Sequence, residues 1–97
     1  MSREEVIARL RAVRPRLNAE GIARLYLFGS VLFDEAGSES DVDLFFDHDL
    51  PKFGILEYVH LKDITNELMG WRVDLIERSC LHPKLRARIE AEAVCIF

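Results

Sequence analysis

The sequence is poor in cysteine and has no long apolar run, and each shortage excludes a class of protein. Its two cysteines, Cys80 and Cys95, are too few for a disulfide framework and lack metal-ligand spacing, so we expect reduced thiols in the core. No uninterrupted apolar stretch reaches the roughly 18 residues needed to cross a bilayer. The N-terminus also lacks the pattern of a signal peptide. We therefore expect a cytoplasmic protein that does not enter a membrane.

The chain is also short, which limits its organisation. Its 97 residues, 49% hydrophobic and 31% charged, have the size and balance of one small globular domain. We expect a single domain over residues 1–97, with every functional group on one core. Separate lobes for substrate and cofactor are excluded by this length.

Positive charge is missing from the middle of the chain. Residues 25–51 contain seven acids and no lysine or arginine, whereas residues 1–24 contain six arginines and three glutamates. An unrelieved acidic segment repels a phosphate backbone, so we expect no direct contact with nucleic acid. The same segment favours a divalent cation.

The spacing of the apolar residues predicts an alternation of helices and strands. Helical spacing is present over residues 2–21, with a kink or a second start at Pro15, and over 52–69 and 83–93. Short apolar runs predict strands at 25–28, 41–47 and 71–76, with a loop at 34–40 and an apolar tail at 94–97. This order predicts an α/β (α+β) fold, in which helices flank a small three-stranded mixed sheet.

Two aspartates lie two residues apart at the start of the second predicted strand. Because side chains alternate along a strand, Asp41 and Asp43 share one face. Two neighbouring carboxylates repel each other unless a cation lies between them, and one or two carboxylates are the usual protein ligands of Mg²⁺. Taken alone, the pattern also fits the solvent-exposed face of an edge strand.

Two further features point to the same chemistry. Gly29 and Ser30 close the first predicted strand, where free backbone N–H groups and a serine hydroxyl can hold a phosphate. Asp74 interrupts an otherwise apolar strand, where a charge is costly unless it is paired or bound to a metal. If that strand pairs with the strand that holds Asp41 and Asp43, three carboxylates converge.

The spacing of these residues resembles the nucleotidyltransferase superfamily with the DNA polymerase β-like catalytic fold, and most of all its minimal stand-alone (MNT) members. Gly29-Ser30, ten intervening residues and then Asp41-x-Asp43 match the pattern G-S-x(10)-D-x-D. The resemblance continues through residues 70–75 and 88–94. It implies transfer of a nucleoside monophosphate from a nucleoside triphosphate, with Gly29 and Ser30 on the phosphates. It also implies that Asp41, Asp43 and Asp74 are catalytic and hold two Mg²⁺ ions.

One stretch departs from the pattern of that family. Members commonly follow Gly-Ser with Ala-Arg-Gly, whose arginine suits a triphosphate, whereas residues 31–34 read Val-Leu-Phe-Asp. A charge-assisted contact to phosphate is worth about 2–3 kcal/mol. We therefore expect weak nucleotide binding, or a cation supplied by Lys52, Arg72 or a partner.

The same resemblance implies a partner, since so short a chain has no lobe to hold an acceptor. Minimal members resemble the antitoxin half of HEPN/MNT toxin–antitoxin modules. This implies a hetero-oligomer with a HEPN ribonuclease toxin and transfer of AMP from ATP to a tyrosine hydroxyl of that toxin. Two alternatives stay open: a catalytically weak or inactive antitoxin that neutralises its partner by binding alone, and a free-standing enzyme that acts on a small molecule.

Overall fold

The computed structural model describes residues 2–33 and 41–97, so the loop predicted at 34–40 lies outside the described residues. Within those ranges the chain forms α1 (Arg3–Ala12), α2 (Arg14–Glu20), β1 (Ile22–Phe28), β2 (Val42–His48), α3 (Ile55–Met69), β3 (Val73–Glu77), a 3₁₀ turn (Arg78–Cys80), α4 (Arg86–Glu92) and β4 (Val94–Cys95). None of the helices in this part of the chain has the length and apolar character needed to cross a membrane.

The N-terminal helical segment is two helices, as the second interpretation of Pro15 predicts. Ser2 caps α1, since its hydroxyl accepts a hydrogen bond from the backbone N–H of Glu5 at 3.2 Å. Pro15 lies in the first turn of α2, where its missing N–H costs nothing. Gly21 ends α2 with a φ of 114°, a left-handed conformation that glycine adopts readily.

The strands form one mixed sheet in the order β3-β2-β1-β4. β2 pairs antiparallel with β1 and parallel with β3. The predicted fold class is confirmed, but the described sheet has four strands rather than three. The additional strand, β4, pairs Cys95 with Tyr26 and Val94 with Leu27, in the segment predicted to be an apolar tail. A strand of two residues is too short to show an alternating pattern, so the sequence carries no signal for it.

The two faces of the sheet differ in what covers them. One face packs with the helices in a core that includes Leu10 of α1, Leu44 of β2 and Leu61 of α3. The alternate positions of β2 belong to the opposite face, where Phe45 stacks on Tyr26 with ring centroids 4.6 Å apart. The aspartates of β2 share this second face, because they occupy the same alternate positions as Phe45.

Two expectations about burial are wrong. Leu56 is 79% exposed and Val59 is also exposed, although both are among the apolar residues whose spacing predicts a helix over residues 52–69 and were expected to face the core. At about 100° per residue, Leu56 and Val59 lie roughly 140° or more around α3 from the buried Leu61, so they are on a side of the helix that does not pack on the sheet. Cys80 and Cys95 are exposed rather than in the core, because they lie in the 3₁₀ turn and on the edge strand β4.

Candidate active site

The topology brings the predicted site residues to one end of the sheet. β1 is antiparallel to β2, so the end of β1 lies beside the starts of β2 and β3. Asp43 is the central residue, since it is the register partner of Phe28 on β1 and of Asp74 on β3. Gly29 and Ser30 follow Phe28 directly. The predicted pairing of the second and third strands is therefore observed, and it places Asp43 and Asp74 opposite each other.

Gly29 is packed directly against the carboxylate of Asp43. Its φ is 79°, in the left-handed region, and a Cβ atom added there would overlap Oδ2 of Asp43. Any other residue would therefore be strained and would also displace the carboxylate. The glycine of the Gly-Ser pair is needed here to admit the side chain of Asp43.

Asp43 is only partly exposed, and its ionised form is disfavoured. Burial, followed by the negative charges of Asp74 and Asp41, raises the pKa of Asp43 from 3.8 to about 6. The carboxylate therefore lies in a negative potential that a bound cation would relieve.

Asp41 is engaged by a cation of the chain itself. Nε of Arg72 lies 2.9 Å from Oδ1 of Asp41, and both side chains are exposed. The backbone N–H of Val42 also donates to the carbonyl oxygen of Arg72 at 2.9 Å, which fixes the two segments side by side. Asp41 is thus at the same end of the sheet as Asp43, with its carboxylate paired to a guanidinium.

Asp74 occupies the edge strand β3 and is exposed. The expectation that its charge is costly within an apolar strand is therefore wrong.

Tyr58, on α3, is a neighbour of Asp74 that the sequence analysis did not identify. The hydroxyl of Tyr58 donates to the carbonyl oxygen of Leu75, and burial, followed by the charge of Asp74, raises the pKa of Tyr58. Tyr58 therefore fixes α3 against the strand that carries Asp74.

The donor set fits a hard divalent cation, although the three carboxylates do not fully converge. Among residues 2–33 and 41–97, no three Asp, Glu, His or Cys side chains are grouped closely enough to hold a metal ion. The pairing of Asp41 with Arg72 directs that carboxylate to a guanidinium. The fit rests instead on Asp43 and Asp74, which are opposite each other, and on the raised pKa of Asp43.

Residues 31–33, which follow Gly29-Ser30, form a turn. Beside it lies a cavity of about 240 Å³, lined by Phe28, Gly29 and Phe33, by Leu85 just before α4, and by Arg88 and Ile89 of α4. No motif in the sequence indicated that α4 lies beside this site. The cavity offers an apolar surface directly next to the glycine that contacts Asp43.

Comparison with known proteins assigns the class. Residues 7–96 match the sequence model of the nucleotidyltransferase domain, and the chain belongs to this family. It is 30% identical over 95 residues to the protein adenylyltransferase MntA of Thermococcus cleftensis, a match that covers 96% of this chain and 94% of the relative. The family and the enzyme class that the motifs predicted are thereby confirmed.

Solved structures support the same assignment. A structure described as a "putative minimal nucleotidyltransferase" is 34% identical, with a TM-score of 0.80, and the match covers 97% of this chain and 95% of that one. A toxin–antitoxin structure with AMP-PNP has the same fold at 18% identity and a TM-score of 0.67, covering 100% of this chain and 73% of that one. The fold is therefore that of a minimal nucleotidyltransferase.

Proposed function

We propose that this chain is a Mg²⁺-dependent protein adenylyltransferase that acts as an antitoxin. Residues 1–97 would form a single catalytic domain that transfers AMP from ATP to a tyrosine hydroxyl of a HEPN ribonuclease toxin. The observation that carries the proposal is the placement of Asp43, opposite Asp74 and against Gly29, with its pKa raised to about 6. A half-buried carboxylate kept in a repulsive field suits a site that a cation completes.

Each site residue has a distinct task in this proposal. Asp41, Asp43 and Asp74 would hold two Mg²⁺ ions, whose charge would stabilise the attacking and leaving oxygens of an in-line displacement. Gly29 leaves room for the carboxylate of Asp43, and Ser30 with its backbone N–H would donate to the phosphates. Catalysis would then consist mainly of positioning charge.

The proposed reaction is a single displacement at the α-phosphate. The oxygen of the acceptor hydroxyl forms a bond to the α-phosphorus, the bond between that phosphorus and the β-phosphate oxygen breaks, and pyrophosphate leaves. A carboxylate accepts the hydroxyl proton. Asp74 suits this role because it is exposed on an edge strand, where the side chain of a large acceptor can approach it.

A protein acceptor is supported by exposed apolar side chains. Phe33 is 54% exposed and Leu85 is also exposed, and both line the cavity beside Gly29. Exposed apolar groups beside a site are typical of a surface that another chain covers. The names of similar proteins, a protein adenylyltransferase and a toxin–antitoxin complex with AMP-PNP, support a toxin as acceptor in a hetero-oligomer.

The experiment is to incubate the protein with its purified partner toxin, ATP labelled at the α-phosphate, and Mg²⁺. We expect the wild type to label the toxin on tyrosine and the double variant Asp41→Asn/Asp43→Asn to lose at least about a hundredfold in rate. Asp49→Asn is a matched control, because Asp49 is an exposed aspartate beyond the other end of β2. It should label the toxin at the wild-type rate.

The alternative function is neutralisation by binding alone, and it has one observation in its favour. Leu32, in the stretch where relatives commonly carry an arginine, is only 3% exposed, so the residue there cannot contact a nucleotide. If neither the wild type nor the double variant transferred label while both still neutralised the toxin, this alternative would replace the enzyme. Label transfer to a small molecule without any partner would support a free-standing enzyme instead.

A further inference from the structure

The turn after Gly29-Ser30 cannot supply a cation to the site. Val31 is 1% exposed and Leu32 is 3% exposed, and both belong to the hydrophobic core. An arginine in place of either side chain would have to be buried, at a high cost. A cation for the triphosphate must therefore come from another part of the chain or from a partner.

Lys52 lies at the wrong end of the sheet. It follows β2 at its C-terminal end, whereas the site lies at the N-terminal end of that strand. The seven residues of β2 separate the two ends by about 20 Å, which exceeds the reach of a lysine side chain. Lys52 is thereby excluded as a cation for this site.

Arg72 lies at the correct end and already contacts a site residue. Its Nε is 2.9 Å from Oδ1 of Asp41, and its carbonyl oxygen accepts a hydrogen bond from the N–H of Val42 at 2.9 Å. It precedes Asp74 by two residues. The side chain of Arg72 is 77% exposed and that of Asp41 47% exposed, so the pair lies in solvent that an incoming nucleotide can displace.

We propose that Arg72 is the phosphate-binding cation of this chain and that it exchanges partners when the nucleotide binds. This inference rests on the proposed function. In the unliganded protein, Arg72 neutralises one of three neighbouring carboxylates by pairing with Asp41. When nucleotide and Mg²⁺ bind, Asp41 turns to the metal and Arg72 donates to the triphosphate.

The exchange is favourable because the two pairings differ in strength. An exposed ion pair such as that of Arg72 with Asp41 holds its partners weakly. A triphosphate offers more charge and can accept two parallel hydrogen bonds from one guanidinium. The same exchange releases the carboxylate of Asp41, so that it can join Asp43 and Asp74 at the metal.

Arg88 is the rival cation. It lines the cavity beside Gly29 from α4, and its Nε lies 3.3 Å from Oε1 of Glu92. Unlike Arg72, it is paired with a residue of its own helix, Glu92, rather than with one of the three aspartates. Its removal is therefore included in the test.

The test measures two affinities for four variants: Arg72→Gln, Arg72→Lys, Arg88→Gln and the control Arg16→Gln. Arg16 is an exposed arginine paired with Glu20 on α2, far in sequence from the site. One measurement is calorimetric titration with AMP-PNP and Mg²⁺. The other is binding of Mn²⁺ alone, followed by electron paramagnetic resonance. Circular dichroism of each variant establishes that it is folded.

The two affinities should change in opposite directions in Arg72→Gln. We expect the dissociation constant of AMP-PNP to rise about 10- to 100-fold, because a charge-assisted contact is lost. We expect Mn²⁺ alone to bind about 2- to 5-fold more tightly, because Asp41 is released from its ion pair. Arg72→Lys should restore part of the AMP-PNP affinity, and Arg16→Gln should resemble the wild type. Loss of structure would not tighten metal binding.

Each other outcome overturns the inference in a distinguishable way. If the wild type bound AMP-PNP and Arg72→Gln bound it equally well, Arg72 would not contact the nucleotide. A loss confined to Arg88→Gln would assign the role to α4. If Arg72→Gln weakened both affinities, Arg72 would only support the local structure. If the wild type bound neither AMP-PNP nor Mn²⁺, the proposed function itself would fail, and this inference with it.

Discussion

Removing the charge of Asp43 should stabilise the protein while it abolishes activity. The site raises the pKa of Asp43 from 3.8 to about 6, so folding favours the protonated carboxyl and the ionised form is a cost to the native state. Asparagine at this position has nearly the same shape as the protonated acid and carries no charge. Asp43→Asn should therefore relieve the cost at every pH at which Asp43 is ionised.

The magnitude follows from the same pKa. The rise from 3.8 to about 6 corresponds to about 3 kcal/mol when the carboxylate is fully ionised. Asp43 is partly exposed to solvent, which screens its neighbours, so we expect about 1–2 kcal/mol. In a domain of this size, that difference in the free energy of unfolding raises the melting temperature by about 5–15 °C.

The assay is thermal unfolding of the wild type and Asp43→Asn between pH 4 and pH 8, without divalent cations. In the wild type, the carboxyl of Asp43 loses its proton as pH rises from about 4 to above 6, and the native state loses stability with it. The variant should therefore be more stable than the wild type by nearly nothing at pH 4 and by the largest amount above pH 7. Adding Mg²⁺ at pH 8 should stabilise the wild type more than the variant. A variant less stable than the wild type at pH 8, or a difference independent of pH, would refute the reasoning.

Three further outcomes are expected from other parts of the structure. Gly29→Ala should lower the free energy of unfolding by about 1–3 kcal/mol and abolish transfer of AMP, because the φ of this residue is 79° and the added Cβ would overlap the carboxylate of Asp43. Urea denaturation measures the stability, and the label assay measures the transfer. Arg78→Ala should lower the free energy of unfolding in urea titrations at neutral pH, and by less at acid pH. Arg78 holds the pKa of Glu90 below its usual value, and the stability that this ion pair contributes is lost as pH falls through the lowered pKa. Leu85→Ser should leave the melting temperature within about 2 °C but weaken binding to the partner toxin, measured by calorimetry, because Leu85 is exposed and lines the cavity beside Gly29.

The matching controls keep these outcomes specific. Gly54→Ala adds a Cβ that meets only Oε2 of Glu57 at 3.6 Å, so it should change stability much less than the substitution at Gly29. For Arg78, equal destabilisation at pH 3 and pH 7 would show that its carboxylate partners contribute nothing. Leu56→Ser, which removes an exposed apolar side chain of α3, should bind the toxin like the wild type, and unchanged binding by Leu85→Ser would place the interface elsewhere.

The residues that could be predicted are those whose signal is local in the sequence. The helical spacing and the short apolar runs are such local signals, and both gave elements close to those observed. Asp43 and Asp74 are 31 positions apart in the printed sequence, yet their proximity follows once two short apolar runs are paired as neighbouring strands. The spacing of Gly29-Ser30 before Asp41-x-Asp43 then identified the family correctly.

The features that could not be predicted depend on where separate elements meet. No local sequence pattern predicts that Arg72 pairs with Asp41, because their contact depends on the register between β2 and β3. Tyr58 reaches the strand of Asp74 through the packing of α3, and its helical stripe could not show this. The exposure of Leu56 has a similar origin, since apolar residues at helical spacing do not show which side of the helix packs on the sheet.

The most direct test of the proposed site is a crystal structure of the protein grown with AMP-PNP and Mn²⁺, with anomalous diffraction used to locate the metal. The proposal predicts anomalous density bound by the carboxylates of Asp41, Asp43 and Asp74, with the triphosphate beside Gly29 and Ser30. It also predicts that Arg72 has left Asp41 for the phosphates. Nucleotide bound elsewhere, or density that contacts none of the three aspartates, would contradict it.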